Sequence, residues 1–261
     1  MSDILEGIRR SAPSIASVVG FVVLWQVLAT VFEVPSWLLP TPTVIWAEFV
    51  RQAHLLGRHV AITGAGAVIG LAIGAVSALA LAIAMVHSRL LQRILMPLLI
   101  IDQSLPKLAL APIFVIWFGT GMMTRIVIAV VISFFPIIVN AIRGMTTVDR
   151  RVNDLMTTLS ASGWDLLTKV QLPNAVPYIF AGLKVAVPLS IIGAVVAEFM
   201  QSDSGLGYLV LIAVGNADTP MVFVAVLAMA LLSLGLFATV SFCEWLVMRG
   251  RFSYLAIEGE N

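Results

Sequence analysis

The sequence predicts an all-α membrane protein with six transmembrane helices, and two observations lead to this fold class. The first is composition: the 261 residues are 60% hydrophobic and only 11% charged. A soluble domain averages about 25% charged residues, so this chain lacks the charged surface of a soluble fold. The second is a set of six apolar runs, each long enough for a bilayer core of roughly 30 Å. The runs are 15–32, 60–86, 94–118, 125–142, 176–199 and 221–247.

The first apolar run is predicted to be an uncleaved transmembrane helix. It is long for the core of a signal peptide, and Glu33, Pro35 and Trp37 follow it instead of a small-x-small cleavage site. The prediction divides the chain into three parts. Residues 1–58 form an N-terminal segment with the first transmembrane helix and an external loop, 59–248 form the transmembrane domain, and 249–261 form a cytoplasmic tail.

The basic residues predict the orientation, because lysine and arginine near span ends concentrate on the cytoplasmic side. One side holds only Arg51 and Arg58, with Arg125 at its boundary. Both termini and the segment 143–175 are therefore expected to face the cytoplasm, where ten of the fifteen basic residues lie. The ten are Arg9, Arg10, Arg89, Arg93, Arg143, Arg150, Arg151, Lys169, Arg249 and Arg251.

The second span carries three glycines spaced by four residues, Gly66, Gly70 and Gly74, followed by Ala78 and Ala82. This spacing places small residues along one face of a helix, which lets another backbone approach closely. The stripe predicts a helix–helix packing face.

The third span is interrupted by Asp102, Pro106 and Lys107. Proline removes a backbone donor and disfavours a helical residue before it. Ionisable groups at membrane depth cost roughly 2.5–3.5 kcal/mol each on insertion scales, so they face a protein interior, a cavity or each other. Two interpretations stay open: the break lines a translocation path, or a local pair of Asp102 and Lys107 only fixes a kink. The expected path residues are Asp102, Gln103, Ser104, Lys107 and Glu198.

Several kinds of partner and site are not expected. A net charge of +1 implies no nucleic-acid partner. The single Cys243 excludes disulfides within one chain and cysteine metal motifs, and the three histidines are scattered, so no metal site is predicted.

A polar stretch, DLMTTLSASGWDLLTKVQLP (154–173), separates two apolar runs. It resembles the coupling-loop signature of ABC importer permeases: E-A-A, three residues, G, nine residues, I-x-L-P. Asp154 stands at the acidic position, and residues 170–173 (VQLP) match the end in register. Leu155 and Met156 replace the two alanines, and Ser160 replaces the glycine.

The resemblance extends from about residue 60 to 252. The stretches LALAPIFVIWFGTG (108–121), PYIFAGLKVA (177–186) and GAVVAEFMQSDSGLGYLV (193–210) are similar to the nitrate, sulfonate, taurine and bicarbonate branch. That branch also includes carriers for riboflavin, thiamine precursors and aromatic acids. The resemblance implies a type I importer in a bacterial inner membrane, with two permeases, two cytoplasmic ATPases and an external solute-binding protein.

The resemblance also implies roles for particular residues. The coupling loop, about 143–175, would dock on the ATPase through two short helices within 151–172. The docking residues would be Asp154, Leu155, Leu159, Ser160, Asp165, Leu166, Val170, Leu172 and Pro173. The expected contacts with the binding protein are Gln201, Asp203, Gly205 and Gly207. The pattern G-x-x-x-x-G-K-[ST] does not occur in the sequence, so ATP and Mg would be bound by a separate ATPase chain and this chain would not be an enzyme.

Two other functions remain as alternatives: a secondary transporter driven by an ion gradient, and a channel with no ATPase partner. A secondary transporter would be expected to show inverted repeats, and no clear internal repeat is present. With one permease sequence, a homodimer is the expected assembly. The solute would be either a sulfonate- or nitrate-type anion or an aromatic or heterocyclic compound.

Overall fold

The computed structural model describes residues 2–200 and 203–257, with the side chains of Pro13, 16–200 and 203–249. Helices joined by short turns make up this part of the chain, and no strand occurs within it, which confirms the all-α prediction. A 3₁₀ turn, Lys107–Leu110, precedes α5, and a π-helical turn, Leu167–Gln171, precedes α9. The α-helices are α1 Ser2–Val31, α2 Pro42–Arg51, α3 Ala53–His87, α4 Arg89–Ser104, α5 Ala111–Phe118, α6 Met122–Thr146, α7 Arg150–Thr158, α8 Gly163–Leu166, α9 Leu172–Phe199, α10 Leu206–Gly215 and α11 Thr219–Ile257.

The helix α6 lies at the centre of the bundle, between α3 and α9. The predicted glycine stripe is confirmed, because it forms the face of α3 that meets α6. A methyl group added at Gly70 would lie 2.5 Å from the Cβ of Ala129, and one at Gly66 would lie 3.0 Å from the Cβ of Arg125. Only glycine allows this approach, so the stripe sets the distance between the two backbones.

The helix α9 meets α6 in the same way. A Cβ at Gly193 would lie 2.7 Å from the Cα of Ala129, and one at Gly182 would lie 2.9 Å from the carbonyl oxygen of Pro136. Both neighbours of α6 therefore pack backbone against backbone at these glycines.

The predicted interruption of the third span is a sharp bend. The helical pieces 89–104 and 107–118 meet at 87°. Leu105 adopts an extended conformation before Pro106, as expected for the residue that precedes a proline. The 16 residues of α4 extend about 24 Å at 1.5 Å per residue, less than the hydrocarbon thickness.

The expected count of six spans is not confirmed. Four helices of the described chain are long and apolar enough to cross a membrane, or five when the bent pair counts as one span. The four are within 53–87, 122–146, 163–199 and 219–249. The sixth candidate is the apolar part of α1, Ala16–Val31, which is shorter.

Three boundaries differ from the sequence prediction. The segment 200–220, which lies between the last two predicted spans, contains the ten-residue apolar helix α10. The limit between the first two predicted parts, 58/59, falls inside α3. The helix α11 continues to Ile257, so the described part of the predicted tail is helical.

Candidate functional site

The coupling segment, which we define as residues 150–171, begins with a short exposed helix. The Asp149 side chain accepts a hydrogen bond from the backbone N–H of Arg151 at 2.9 Å and so caps α7. The turn after α7 passes through Ser160, whose φ of +53° lies in the left-handed region. Glycine adopts this conformation without strain, which explains why the coupling-loop signature has glycine at the position that Ser160 occupies.

The second half of the coupling segment begins with a capping box. Asp165 N–H donates to Ser162 Oγ at 3.1 Å, and Ser162 N–H donates to the Asp165 carboxylate at 3.3 Å. Lys169 pairs with Asp165 at 2.6 Å. Asp165 lies in the polar stretch before the apolar run 176–199. Hydrogen bonds from Lys169 and Ser162 lower the pKa of its carboxyl group to about 2. The carboxylate is ionised at neutral pH, and it holds the start of the helix.

The two halves of this segment differ from the expected pair of short helices. The first half is a short helix, as expected. The second half is not a separate helix, because it is the start of a continuous helix that runs from Gly163 through the π turn to Phe199. The π turn ends two residues before Pro173, which has no N–H to donate back to the preceding turn.

The exposed apolar surface of the coupling segment also differs from the expected set. Leu155 and Leu159 are exposed, by 57% and 66%, and Asp154 beside them is exposed. Leu166, Val170, Leu172 and Pro173 are half-buried, and Leu167 is buried at 3%. Trp164, which sequence reasoning missed, is 72% exposed. The most exposed large apolar side chains of the coupling segment are therefore Leu155, Leu159 and Trp164, and Val152 is less exposed, at 38%.

The bend of the third span contains a paired lysine. Lys107 Nζ donates to the Asp102 carboxylate at 2.6 Å and to the Val131 carbonyl at 3.3 Å, and it lies 5.9 Å from the centre of the Phe135 ring. Gln103 and Ser104 are exposed beside this pair. The local pair weighed in the sequence analysis is therefore present.

The last of the five expected path residues, Glu198 at the end of the fifth span, is buried. Glu198 has no exposed surface, and its carboxylate lies 3.3 Å from Arg125 Nε. Thr63 Oγ1 donates to the carboxylate at 2.8 Å, and Gly207 N–H donates at 2.8 Å. A buried charge is costly unless a counter-charge and hydrogen bonds surround it, and both are present here.

The loop after α9 is bound to the same cluster. Arg125 Nη2 donates to the Ser204 carbonyl at 2.8 Å, and Thr63 Oγ1 accepts from Leu206 N–H at 2.8 Å. His59 Nδ1 lies 2.9 Å from the Gly205 nitrogen. We call this set the outer clasp, after the side of the membrane on which the basic residues predict this end of the bundle to lie. It consists of His59, Thr63, Arg125 and Glu198 with residues 204–207.

Two glycines that were expected to contact the binding protein lie in the outer clasp, where only glycine fits. Gly205 has a φ of +107°, and a Cβ there would lie 2.1 Å from the Glu198 carboxyl. Gly207 would place a Cβ 2.9 Å from the Cβ of Glu198. Both glycines are buried, Asp203 is exposed, and Gln201 lies outside the described residues.

Comparison with known proteins decides the family. Residues 70–244, more than half of the chain, match the family model described as "Binding-protein-dependent transport system inner membrane component". The chain belongs to this family. It is therefore a permease component of ABC importers, a multi-pass inner-membrane protein and a transport subunit, not an enzyme.

The permease is similar to several curated relatives over most of its length. It is 35% identical to a probable ABC transporter permease protein of Haemophilus influenzae, over 87% of this chain and 91% of the relative. It is 34% identical to a riboflavin transport system permease protein of Chloroflexus aurantiacus, over 87% and 85%. It is 30% identical to a putative aliphatic sulfonates transport permease protein of Bacillus subtilis, over 89% and 85%.

The permease holds one more ion pair that sequence reasoning missed. Lys184 of α9 pairs with Glu244 of α11 and lies 5.8 Å from the centre of the Phe237 ring. The sequence signal for this pair was a lysine inside one apolar run and a glutamate inside another. Lys107, Arg125 and Lys184 are the three lysine or arginine residues within the six apolar runs of the sequence, and each is paired with a carboxylate.

Proposed function

We propose that the permease is the membrane subunit of an ATP-driven importer, and that residues 150–171 dock on a separate cytoplasmic ATPase that binds ATP and Mg. The observation that carries this proposal is the exposure of three large apolar side chains in the coupling segment. Leu155 lies on α7 and Leu159 directly after it, and Trp164 lies at the start of the helix that continues through the bundle. Apolar and aromatic side chains exposed at one place are typical of a protein interface.

The remaining partners are a second copy of the permease, an external solute-binding protein and membrane lipid. The bend supports a second copy, because Gln103 and Ser104 are exposed beside two apolar helices. Lipid offers these groups no hydrogen-bond partner, whereas a water-filled path between two copies does. Asp203 is the described and exposed candidate for contact with the binding protein.

Of the two solute classes, the ion pairs favour an uncharged aromatic or heterocyclic compound. Lys107 is held by Asp102 and the Val131 carbonyl, so its charge is already compensated. An anion that crosses the path would gain most from a cation that no carboxylate already compensates. A relative with riboflavin in its name is consistent with this class, although another relative's name specifies aliphatic sulfonates.

Reconstitution in liposomes tests the proposed function. The complex is purified through a tag on the permease and supplied with its binding protein, and ATP hydrolysis is measured with riboflavin, ethanesulfonate or nitrate. We expect stimulation by riboflavin above the two anions. Stimulation by an anion alone would reverse the solute class, and uptake without ATP would identify a secondary transporter or a channel.

The proposed orientation has six crossings with both termini in the cytoplasm. In a Cys243→Ser background, Asn216→Cys on the exposed end of α10 should react with an impermeant thiol reagent from outside. Thr158→Cys, on the exposed end of α7, should react only from the cytoplasmic side. The reverse pattern would overturn the orientation.

Exchanging the charges at the bend tests whether it lines the solute path. The double change Asp102→Lys with Lys107→Asp keeps the pair, so we expect it to restore the yield of folded permease that Lys107→Asp lowers. Solute-stimulated ATP hydrolysis should stay below that of the unchanged permease, because the positions of both charges along the path have changed. Full recovery of transport would show that the pair only fixes the bend.

A further inference from the structure

One continuous helix connects the coupling segment to the outer clasp. It runs for 37 residues, Gly163–Phe199, or about 55 Å at 1.5 Å per residue. The capping box of Ser162 and Asp165 fixes one end, and Glu198 lies one residue before the other end. A displacement of the coupling segment therefore reaches Glu198 through a single element.

The outer clasp holds one short loop through side chains of three helices. The side chains come from α3, α6 and α9, and each residue of 204–207 is hydrogen-bonded to one of them. The Glu198 carboxylate contributes to two kinds of contact, because it binds both the Arg125 side chain and the Gly207 backbone. A shift of α9 relative to α3 and α6 would separate these contacts together.

The outer clasp also forms the start of α10. Leu206 and Gly207 are its first two residues, and the first N–H groups of a helix have no partner within the helix. Thr63 and Glu198 accept from these two N–H groups, and a carboxylate is favourable at the positive end of a helix. Release of Glu198 would leave the Gly207 N–H without its acceptor.

We propose that Glu198 and Arg125 are positioning residues of the transport cycle, which hold residues 203–207 and the start of α10 closed against α9 in the resting state. When the ATPase moves the coupling segment, α9 draws Glu198 away and the clasp opens toward the outer side. This inference rests on the proposed function, because the ATPase supplies the movement.

Cysteine accessibility in the assembled complex tests the proposal. In a Cys243→Ser background, Ser204→Cys is half-buried within the clasp and Asp203→Cys is its exposed neighbour. An impermeant maleimide is applied without nucleotide and after trapping with ATP and vanadate. We expect labelling at Ser204→Cys to be about tenfold faster in the trapped state, while Asp203→Cys reacts equally in both. Equal rates at Ser204→Cys in the two states would overturn the proposal.

A second measurement needs no change inside the clasp. Hydrogen exchange of the unmodified complex reports on the Leu206 and Gly207 amides, which should be protected without nucleotide and exchange faster after trapping. Continued protection would identify the clasp as a static support. Failure of this proposal can be told from failure of the proposed function. A complex without vanadate-sensitive ATP hydrolysis would contradict the proposed function. Normal ATP hydrolysis with unchanged hydrogen exchange would contradict only the proposed opening of the clasp.

A coupling measurement separates positioning from support of the fold. Glu198→Gln preserves the shape of the side chain but removes its charge, and we expect it to lower the ratio of solute-stimulated to basal ATP hydrolysis severalfold. A lower yield with an unchanged ratio would assign Glu198 a structural role only.

Discussion

Changing Arg125 to methionine is expected to destabilise the permease by about 3–5 kcal/mol, because the Glu198 carboxylate then stays buried without its cation. Both side chains are almost fully enclosed, with 5% and 0% of their surface exposed. Arg125 also donates to the Ser204 carbonyl, so the same change releases the loop before α10. Thermal unfolding in detergent measures the loss, as a lower midpoint temperature.

Two further variants identify the cause of this loss. Arg58→Met removes an exposed arginine of α3, next in sequence to His59 of the outer clasp. This change should leave the midpoint temperature nearly unchanged. Adding Glu198→Gln to Arg125→Met removes the uncompensated charge and should recover part of the loss. If Arg125→Met and Arg58→Met unfold at the same temperature, the buried pair contributes no stability.

Replacing both Leu155 and Leu159 with lysine is expected to abolish retention of the ATPase while leaving the permease folded. Both leucines are more than half exposed, so the permease loses little packing when they change. If both leucines are hot spots of the interface, each contributes about 2 kcal/mol or more, so loss of the pair corresponds to roughly a thousandfold weaker association. Co-purification of the ATPase with tagged permease measures the effect.

The matched control places the same charges elsewhere on α7. Thr157→Lys with Thr158→Lys adds two lysines to the same exposed helix but spares both leucines. This control should retain most of the ATPase. Equal loss in both variants would indicate a general effect of charge, and retention in both would remove the docking surface from this helix.

Local signals in the sequence predicted the features that depend on neighbouring residues. Pro106 with flanking charges predicted the break, and the chain bends there by 87°. The glycines of the second span predicted a close packing face, which meets α6. In both cases the cause lies within a few residues, so the pattern contains the information.

Features that depend on how distant helices meet were not predictable in the same way. Arg125 was placed at a span boundary and Glu198 in the solute path, because nothing near either residue indicates the other. Lys184 and Glu244 are 60 residues apart and pair only when α9 packs against α11. The helix α10 was missed because ten apolar residues between turn-forming residues are too few to span a bilayer.

The sequence separation of the three ion pairs has a consequence for biogenesis. Lys107 follows Asp102 by five residues, so this charge can be neutralised as soon as the bend is synthesised. Arg125 and Lys184 precede their carboxylates by one or more whole helices. A nascent chain that ends before Glu244 thus lacks the carboxylate that pairs with Lys184, and this pair forms only after α11 leaves the ribosome.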